Sequence, residues 1–157
     1  MPTTVPCLWF DGQAEQAAEH YIAIFPNSEV LGVTRYGPGA PQPEGSVLTV
    51  EFSLDGQRYV GLNGGPQFTF NESVSIVVPC ADQAEVDYYW DRLSDGGQEI
   101  ACGWLKDRYG LCWQIVPAVF FEMIADPDPA TVARVMRAMM DMIRFDIAGL
   151  EQAYAGQ

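Results

Sequence analysis

The chain has 157 residues, of which 48% are hydrophobic and 18% are charged, a composition typical of a folded chain with an apolar core rather than a disordered one. Asp and Glu number 21 against 8 Lys and Arg, so the formal net charge is -13. A negative field of this size repels phosphate backbones and anionic lipid headgroups, so we expect neither nucleic acid nor a membrane as a partner.

The sequence also indicates where the protein is located and whether its cysteines are reduced. No apolar stretch approaches the roughly 20 residues that cross a bilayer, and the first residues have neither the basic nor the apolar region of a secretory signal. The four cysteines, Cys7, Cys80, Cys102 and Cys112, form no C-x-x-C pair. We therefore expect a cytoplasmic protein with reduced, buried, structural thiols, with one reactive thiol in a pocket as the alternative.

The first elements in the chain are a strand and a helix. Val5–Phe10 is a short apolar strand, and apolar residues then recur at helical spacing over Gly12–Phe25. Asp11 is the expected N-cap, and Pro26 ends the helix.

Three strands follow this helix. Glu29–Tyr36 is rich in β-branched residues, and Ser46–Leu54 alternates between apolar and polar positions. Between them, Gly37–Gly45 carries so many glycines and prolines that it predicts a long exposed loop. Asp55-Gly56 is a hairpin turn signal, after which Gln57–Asn63 is the return strand.

The second half repeats this order. Val74–Val78 is a short strand, Gln83–Leu93 is an amphipathic helix capped by Asp82, and Gln98–Trp104 and Cys112–Val116 are strands. A shift of 70 residues also aligns the Gln-Ala-Glu at the start of one helix with that of the other. The pattern therefore predicts two β-α-β-β-β units.

The tail is helical and different in character. Ala118–Ala125 predicts a short helical turn, and Asp128 is an N-cap for a longer helix over Ala130–Phe145. Asp146–Tyr154 predicts a last short helix. The methionine-rich stripe of the longer helix favours packing on a sheet or a subunit contact over a cofactor site.

Several motifs together resemble a known family. They are LWFDG at 8–12, LNGGP at 62–66, CGWLKDRYG at 102–110, WQIVP at 113–117 and ADPDP at 125–129. With the doubled unit, they resemble the vicinal oxygen chelate superfamily of glyoxalases, bleomycin-resistance proteins and extradiol dioxygenases. Within it the sequence is similar to the PhnB-like group, often labelled 3-demethylubiquinone-9 3-methyltransferase domain proteins.

The resemblance implies a fold and an assembly. The fold is α+β, a single domain of two βαβββ modules at about residues 4–66 and 72–117 with curved mixed sheets, followed by a helical extension over 118–157. The sheets of such proteins curve into a cup that binds a small molecule. The resemblance also implies a homodimer.

Metal-dependent relatives hold a divalent ion through four inward residues, usually His or Glu. The corresponding places in this chain offer neither, and its one histidine, His20, lies in the first helix, on the outer side or the subunit side of the expected cup. We therefore expect no metal and no other cofactor. The places are occupied by Pro6, Cys7 or Leu8; by Leu62 or Asn63; by Ser73 or Ser75; and by Gln114.

The predicted function is that of a metal-independent small-molecule-binding protein, with aromatic and neutral polar groups suited to an uncharged or zwitterionic ligand. Lys106 and Arg108 either focus an anion near the mouth or form a solvated hairpin. The rivals are a metal-dependent lyase, isomerase or dioxygenase, and a methyltransferase acting on a quinone-like substrate, although no glycine-rich nucleotide loop is present. No catalytic residue is identified. The predicted pocket residues are Cys7, Trp9, Asn63, Ser75, Trp104, Lys106 and Gln114.

Overall fold

The computed structural model describes residues 2–157, which divide into two compact units. The first unit ends at Phe70, and the second spans Asn71–Gln157. Each unit contains one four-stranded sheet. In the described part of the chain, no helix is both long enough and apolar enough to cross a membrane.

The first unit is a helix packed on one face of a mixed sheet. Its elements are β1 (Cys7–Phe10), α1 (Ala14–Ile24), β2 (Glu29–Arg35), β3 (Val47–Leu54) and β4 (Gln57–Asn63). The strand order is β1-β4-β3-β2, with β1 parallel to β4 and the other pairs antiparallel. The buried side of α1 packs on β3 and β4, which removes its apolar stripe from water.

The second unit repeats this topology. Its elements are β5 (Ser75–Cys80), α2 (Gln83–Ser94), β6 (Gln98–Glu99), β7 (Trp104–Lys106) and β8 (Cys112–Pro117). The order is β5-β8-β7-β6, with β5 parallel to β8. The α+β prediction of two βαβββ modules with a helical extension is therefore confirmed.

Three helices form the extension: α3 (Ala118–Ile124), α4 (Pro129–Met140) and α5 (Ile147–Ala155). Arg134 of α4 donates hydrogen bonds to the carbonyl oxygens of Ala153 and Tyr154, and these bonds hold the end of α5 against α4. The contacts between α4 and α5 fix the end of the chain within this unit.

The predicted cap of the first helix is wrong. Asp82 does accept a hydrogen bond from the Glu85 N–H at the start of α2, as predicted, but Asp11 does not cap α1. Gly12 adopts a φ of +80°, so the chain turns before the helix begins at Ala14. The Ala14 N–H donates instead to the side chain of Asn63, 49 positions away in the sequence.

The predicted strand Gln98–Trp104 is also wrong. It is a hairpin in which β6 pairs antiparallel with β7, and the intervening residues turn the chain. Cys102 and Gly103 have φ values of +57° and +80°, which no continuous strand contains. Lys106, expected in the following turn, therefore lies in a strand.

The long helix of the tail is shorter than the prediction of Ala130–Phe145. It ends at Met140, because the carbonyl oxygens of Met142 and Ile143 accept hydrogen bonds from the N–H groups of Cys102 and Gly103. Phe145, which is 2% exposed, then enters the core. In a continued helix, the carbonyl groups of Met142 and Ile143 would point along the helix axis and could not accept these bonds.

The cysteines differ from one another in burial. Cys80 and Cys112 are buried free thiols, but Cys7 is exposed and Cys102 is half-buried. The expectation of four buried thiols is therefore wrong for two of them. Burial and the nearby carboxylates of Glu85 and Asp82 raise the pKa of Cys80 to about 12, so this thiol is protonated at neutral pH.

Candidate ligand-binding face

The second sheet has two faces of different chemistry. Side chains alternate along each strand, and Leu105, Trp113 and Ile115 are fully buried on the face that packs against α2. The other face, which we call the distal face, is partly exposed, and Val77 is 43% exposed there. The distal face consists of Ser75, Val77, Trp104, Lys106, Cys112, Gln114 and Val116.

Four of the predicted site residues meet on this face. The pairing registers place Trp104 opposite Gln114 and Gln114 opposite Val77. The side-chain amide of Gln114 donates a 2.8 Å hydrogen bond from Nε2 to Oγ of Ser75. Ser75 and Gln114 therefore form a half-buried neutral polar pair beside the indole of Trp104, with Lys106 two residues farther along β7.

A buried carboxylate fixes the turn that carries Lys106. Asp107 is 3% exposed and accepts hydrogen bonds from the N–H groups of Tyr109 and Leu111 and from Nε1 of Trp113. Each bond is 3.0 Å or shorter, so the carboxylate is satisfied from three directions. The burial of Asp107 beside the indole of Trp113 was not predictable, because nothing in the local sequence marks it.

The two basic side chains of this hairpin have separate partners. Nζ of Lys106 lies 2.5 Å from Oε1 of Glu72, and Arg108 pairs with the carboxylate and carbonyl of Asp95 at the end of α2. The hydrogen bond to Lys106 lowers the pKa of Glu72, and the same bond raises the pKa of Lys106. The expected cluster of Lys106 and Arg108 is therefore two independent ion pairs.

Cys112 lies between Ser75 and Lys106 in the sheet but is not a reactive thiolate. It is fully buried, and burial raises the pKa of its thiol, with a smaller opposing effect from Lys106. Because the thiolate is the nucleophilic form, this environment provides no nucleophile at neutral pH.

Two further predicted residues lie on the first sheet. Cys7 and Trp9 alternate with the buried Leu8 and so lie on the face away from α1. Nε1 of Trp9 donates a 2.9 Å hydrogen bond to the carbonyl of Gly65. A Cβ at Gly64 would lie 2.3 Å from Cζ2 of the indole, so this glycine provides room for Trp9 rather than for a nucleotide phosphate.

Asn63 is not brought together with Cys7 and Trp9. It pairs with Phe10, which lies on the face toward α1, and its Oδ1 accepts from the Ala14 N–H at 2.9 Å. Its Nδ2 donates to the carbonyl of Val47 at 3.1 Å. Both ends of the side chain therefore bind backbone groups of the fold.

A small cavity adjoins Asn63 at the start of α1. Its volume is about 230 Å³, and the carboxylates of Asp11 and Glu15 contribute to its wall together with Tyr36 and Ser46. Apart from Asn63, no predicted pocket residue lines it. The residues that line this cavity include two carboxylates and no basic side chain, so it is unsuited to an anion.

Comparisons with known proteins agree with this architecture. The family model described as 3-demethylubiquinone-9 3-methyltransferase matches residues 2–116. The chain belongs to this family. The PhnB protein of Bacillus cereus is 30% identical to it, with a TM-score of 0.68, and the match covers 74% of this chain and 100% of that one.

Two more distant structures share the fold of this PhnB-like chain. A protein from Pseudomonas aeruginosa is 17% identical, with a TM-score of 0.61 and coverage of 74% of this chain and 98% of that one. Fosfomycin resistance protein FosX from Mesorhizobium loti is 12% identical, with a TM-score of 0.54 and coverage of 80% and 98%. The PhnB-like chain therefore has the vicinal oxygen chelate fold. A comparison with curated proteins gave no significant match.

The metal ion that this fold often holds does not fit the residues of the PhnB-like chain. Among residues 2–157, no three His, Cys, Asp or Glu side chains come together as a possible metal site. Ser75 and Gln114 provide a hydroxyl and an amide, which are weak ligands for zinc, iron or manganese compared with imidazole, thiolate and carboxylate. The Ser75 hydroxyl already accepts a hydrogen bond from Nε2 of Gln114, which leaves the amide oxygen of Gln114 as one neutral ligand.

Proposed function

We propose that this PhnB-like protein binds a small organic molecule on the distal face of its second sheet without a metal ion. The observation that supports the proposal is the neutral Ser75–Gln114 pair beside Trp104. An aromatic surface next to a few fixed hydrogen-bonding groups is the usual composition of a small-molecule site. The polar pair would orient the ligand, and the indole would provide contact area.

The proposed activity is binding, and methyl transfer is not part of it. The description of the family names a methyltransferase. In this chain, however, the glycines after β4 are followed by no helix before β5, so the segment lacks the strand-loop-helix arrangement that binds a dinucleotide. S-adenosylmethionine is therefore not an expected ligand of this protein.

The proposal is tested by amide NMR of protein dialysed against EDTA, titrated with benzamide as a neutral aromatic probe. We expect shifts of the Trp104 indole and Gln114 side-chain signals. Gln114→Leu should weaken binding about fivefold, the value of one neutral hydrogen bond of about 1 kcal/mol. Arg58→Gln is the control, because Arg58 forms an exposed ion pair with Glu51 in the first unit.

Three results would overturn the proposal. The first is the absence of binding by both aromatic probes, benzamide and benzoate, and the second is binding that requires an added divalent ion. The third is a set of shifts confined to residues outside β5, β7 and β8, which would place the site elsewhere in the chain.

A further inference from the structure

We propose that the ligand of the distal face is a small aromatic carboxylic acid, whose carboxylate replaces that of Glu72 on the Lys106 ammonium. This inference rests on the proposed function and names the chemical class of the ligand. Three observations support it: the single lysine Lys106, the exposed Glu72 side chain that pairs with it, and the indole of Trp104 beside it.

Lys106 is the cation of the distal face. It is the only lysine in the sequence, and its side chain is 29% exposed. Two arginines of this unit have other carboxylate partners, since Arg108 pairs with Asp95 and Arg144 pairs with Asp87 and Asp91. In a chain of net charge -13, an anion can approach this face favourably only where a positive charge is concentrated.

Glu72 shows that a carboxylate fits this cation. Its Oε1 contacts Nζ of Lys106 directly, as in a charge-assisted hydrogen bond. Glu72 belongs to no strand or helix, and its side chain is 59% exposed. It can therefore return to water at small cost, because exposed ion pairs contribute little net free energy. An incoming carboxylate would exchange one such pair for another and add its own contacts.

The aromatic part of the ligand follows from Trp104. Residues 104 and 106 lie on the same side of β7, and two residues of a strand span about 7 Å, the scale of a benzoate-sized molecule. A ring packed against the indole would thus place its carboxylate toward Nζ. The amide of Gln114, beyond its bond to Ser75, retains a second N–H and a carbonyl oxygen for a ring substituent.

The single cation favours a monocarboxylate over a phosphate. One ammonium is a point charge that balances one negative charge, whereas a phosphate dianion is usually held by several donors or by the fork of an arginine. The arginine nearest in sequence, Arg108, is held at Asp95 by three hydrogen bonds. Inorganic phosphate therefore serves as the contrasting anion in the test.

The experiment uses the unique lysine as a reporter. Protein labelled with lysine that carries ¹³C only at Cε gives one such side-chain signal, which is followed during titration with benzoate, benzamide and phosphate. We expect benzoate to shift the Lys106 signal and to bind more tightly than benzamide or phosphate. Glu72→Gln should strengthen benzoate binding by up to about fivefold, because the competing carboxylate is gone, and leave benzamide binding unchanged.

Two further variants separate the site from general charge effects. Asp95→Asn removes the same charge from the chain as Glu72→Gln, but it removes it from the partner of Arg108, whose two hydrogen bonds to the backbone carbonyl of residue 95 remain. It should therefore leave benzoate affinity within about twofold. Lys106→Met should abolish the preference of benzoate over benzamide.

The outcomes distinguish this inference from the proposed function. Equal binding of benzoate and benzamide at Trp104 and Gln114, with no effect of Glu72→Gln, overturns the carboxylate inference and leaves the binding face in place. Tighter binding of phosphate than of benzoate also overturns it. If neither benzoate nor benzamide binds at this face, both proposals are overturned.

Discussion

At the residue scale, Asn63 shows how a side chain at a predicted ligand position can serve the fold instead. Its carbonyl oxygen binds the first N–H of α1, and its amide binds the backbone of β3. The residue is 8% exposed, and both bonds join elements that are distant in sequence. Loss of this side chain would leave a helix N–H and a strand carbonyl without partners.

We predict that Asn63→Ala lowers the free energy of unfolding by about 1 to 2 kcal/mol, the usual cost of removing a helix cap. Urea denaturation followed by circular dichroism measures the change. Gln57→Ala is the matched control, because Gln57 is an exposed amide at the other end of β4, and it should cost less than about 0.5 kcal/mol. An Asn63→Ala protein of unchanged stability that has lost ligand binding would contradict this structural role.

The residues of the distal face were partly predictable from the sequence. The resemblance to metal-dependent relatives placed Ser75 and Gln114 at positions that correspond to their metal ligands. In the structure a hydrogen bond joins the two side chains. Glu72 as the partner of Lys106 was not predictable. The two lie 34 positions apart, and their meeting depends on how the segment before β5 folds over the sheet.

At the element scale, the β6–β7 hairpin depends on one glycine and one distant aromatic ring. Gly103 has a φ of +80°, and a Cβ there would lie 2.3 Å from Cε2 of Phe145 and 3.0 Å from the carbonyl of Ile115. The ring of Phe145 thus packs directly on the turn. Phe145, which enters the core after α4 has ended at Met140, therefore leaves no room for a side chain at this position.

We predict that Gly103→Ala destabilises the protein by more than about 3 kcal/mol, because a left-handed residue and a steric clash add together. Gly110→Ala is the matched control: its φ is +87°, but nothing lies within 4 Å of its Cβ position. It should show only the conformational cost of about 1 to 2 kcal/mol. Thermal unfolding of the two variants measures the difference, and equal losses would show that the contact with Phe145 contributes nothing.

At the scale of the whole molecule, the excess of acidic residues dominates the electrostatics. The sequence holds 21 carboxylate side chains and 8 basic ones. The ion pairs of the described residues are exposed or half-exposed, and pairs of this kind contribute little stability. Repulsion among the remaining carboxylates therefore opposes the compact state at neutral pH.

We predict that salt stabilises this protein. Raising NaCl from 10 to 200 mM should increase the free energy of unfolding by about 1 kcal/mol, because the shorter Debye length screens the net repulsion more than it weakens a few exposed pairs. Urea denaturation at the two salt concentrations measures this change. A decrease in stability with salt would show that the ion pairs outweigh the repulsion.

The homodimer and the cytoplasmic location expected from the sequence stay predictions, as does the absence of nucleic-acid partners. Sedimentation equilibrium would measure the oligomeric state. If the protein is a dimer, the apolar side chains exposed on the extension, among them Met140 and Ile143, are the first candidates for the contact between subunits.

The sequence by itself determined the order of elements, the duplication of the β-α-β-β-β unit and the family, because hydrophobic periodicity, turn residues and short motifs are local signals. Only the tertiary structure decided that Asn63 caps α1 and that Asp107 is buried. It also decided that the chain after Gln98 forms a hairpin and that the Glu72 carboxylate pairs with the Lys106 ammonium. Each of these depends on contacts between groups brought together by sheet pairing and packing. The free energy of such contacts is not encoded in any single stretch of the chain.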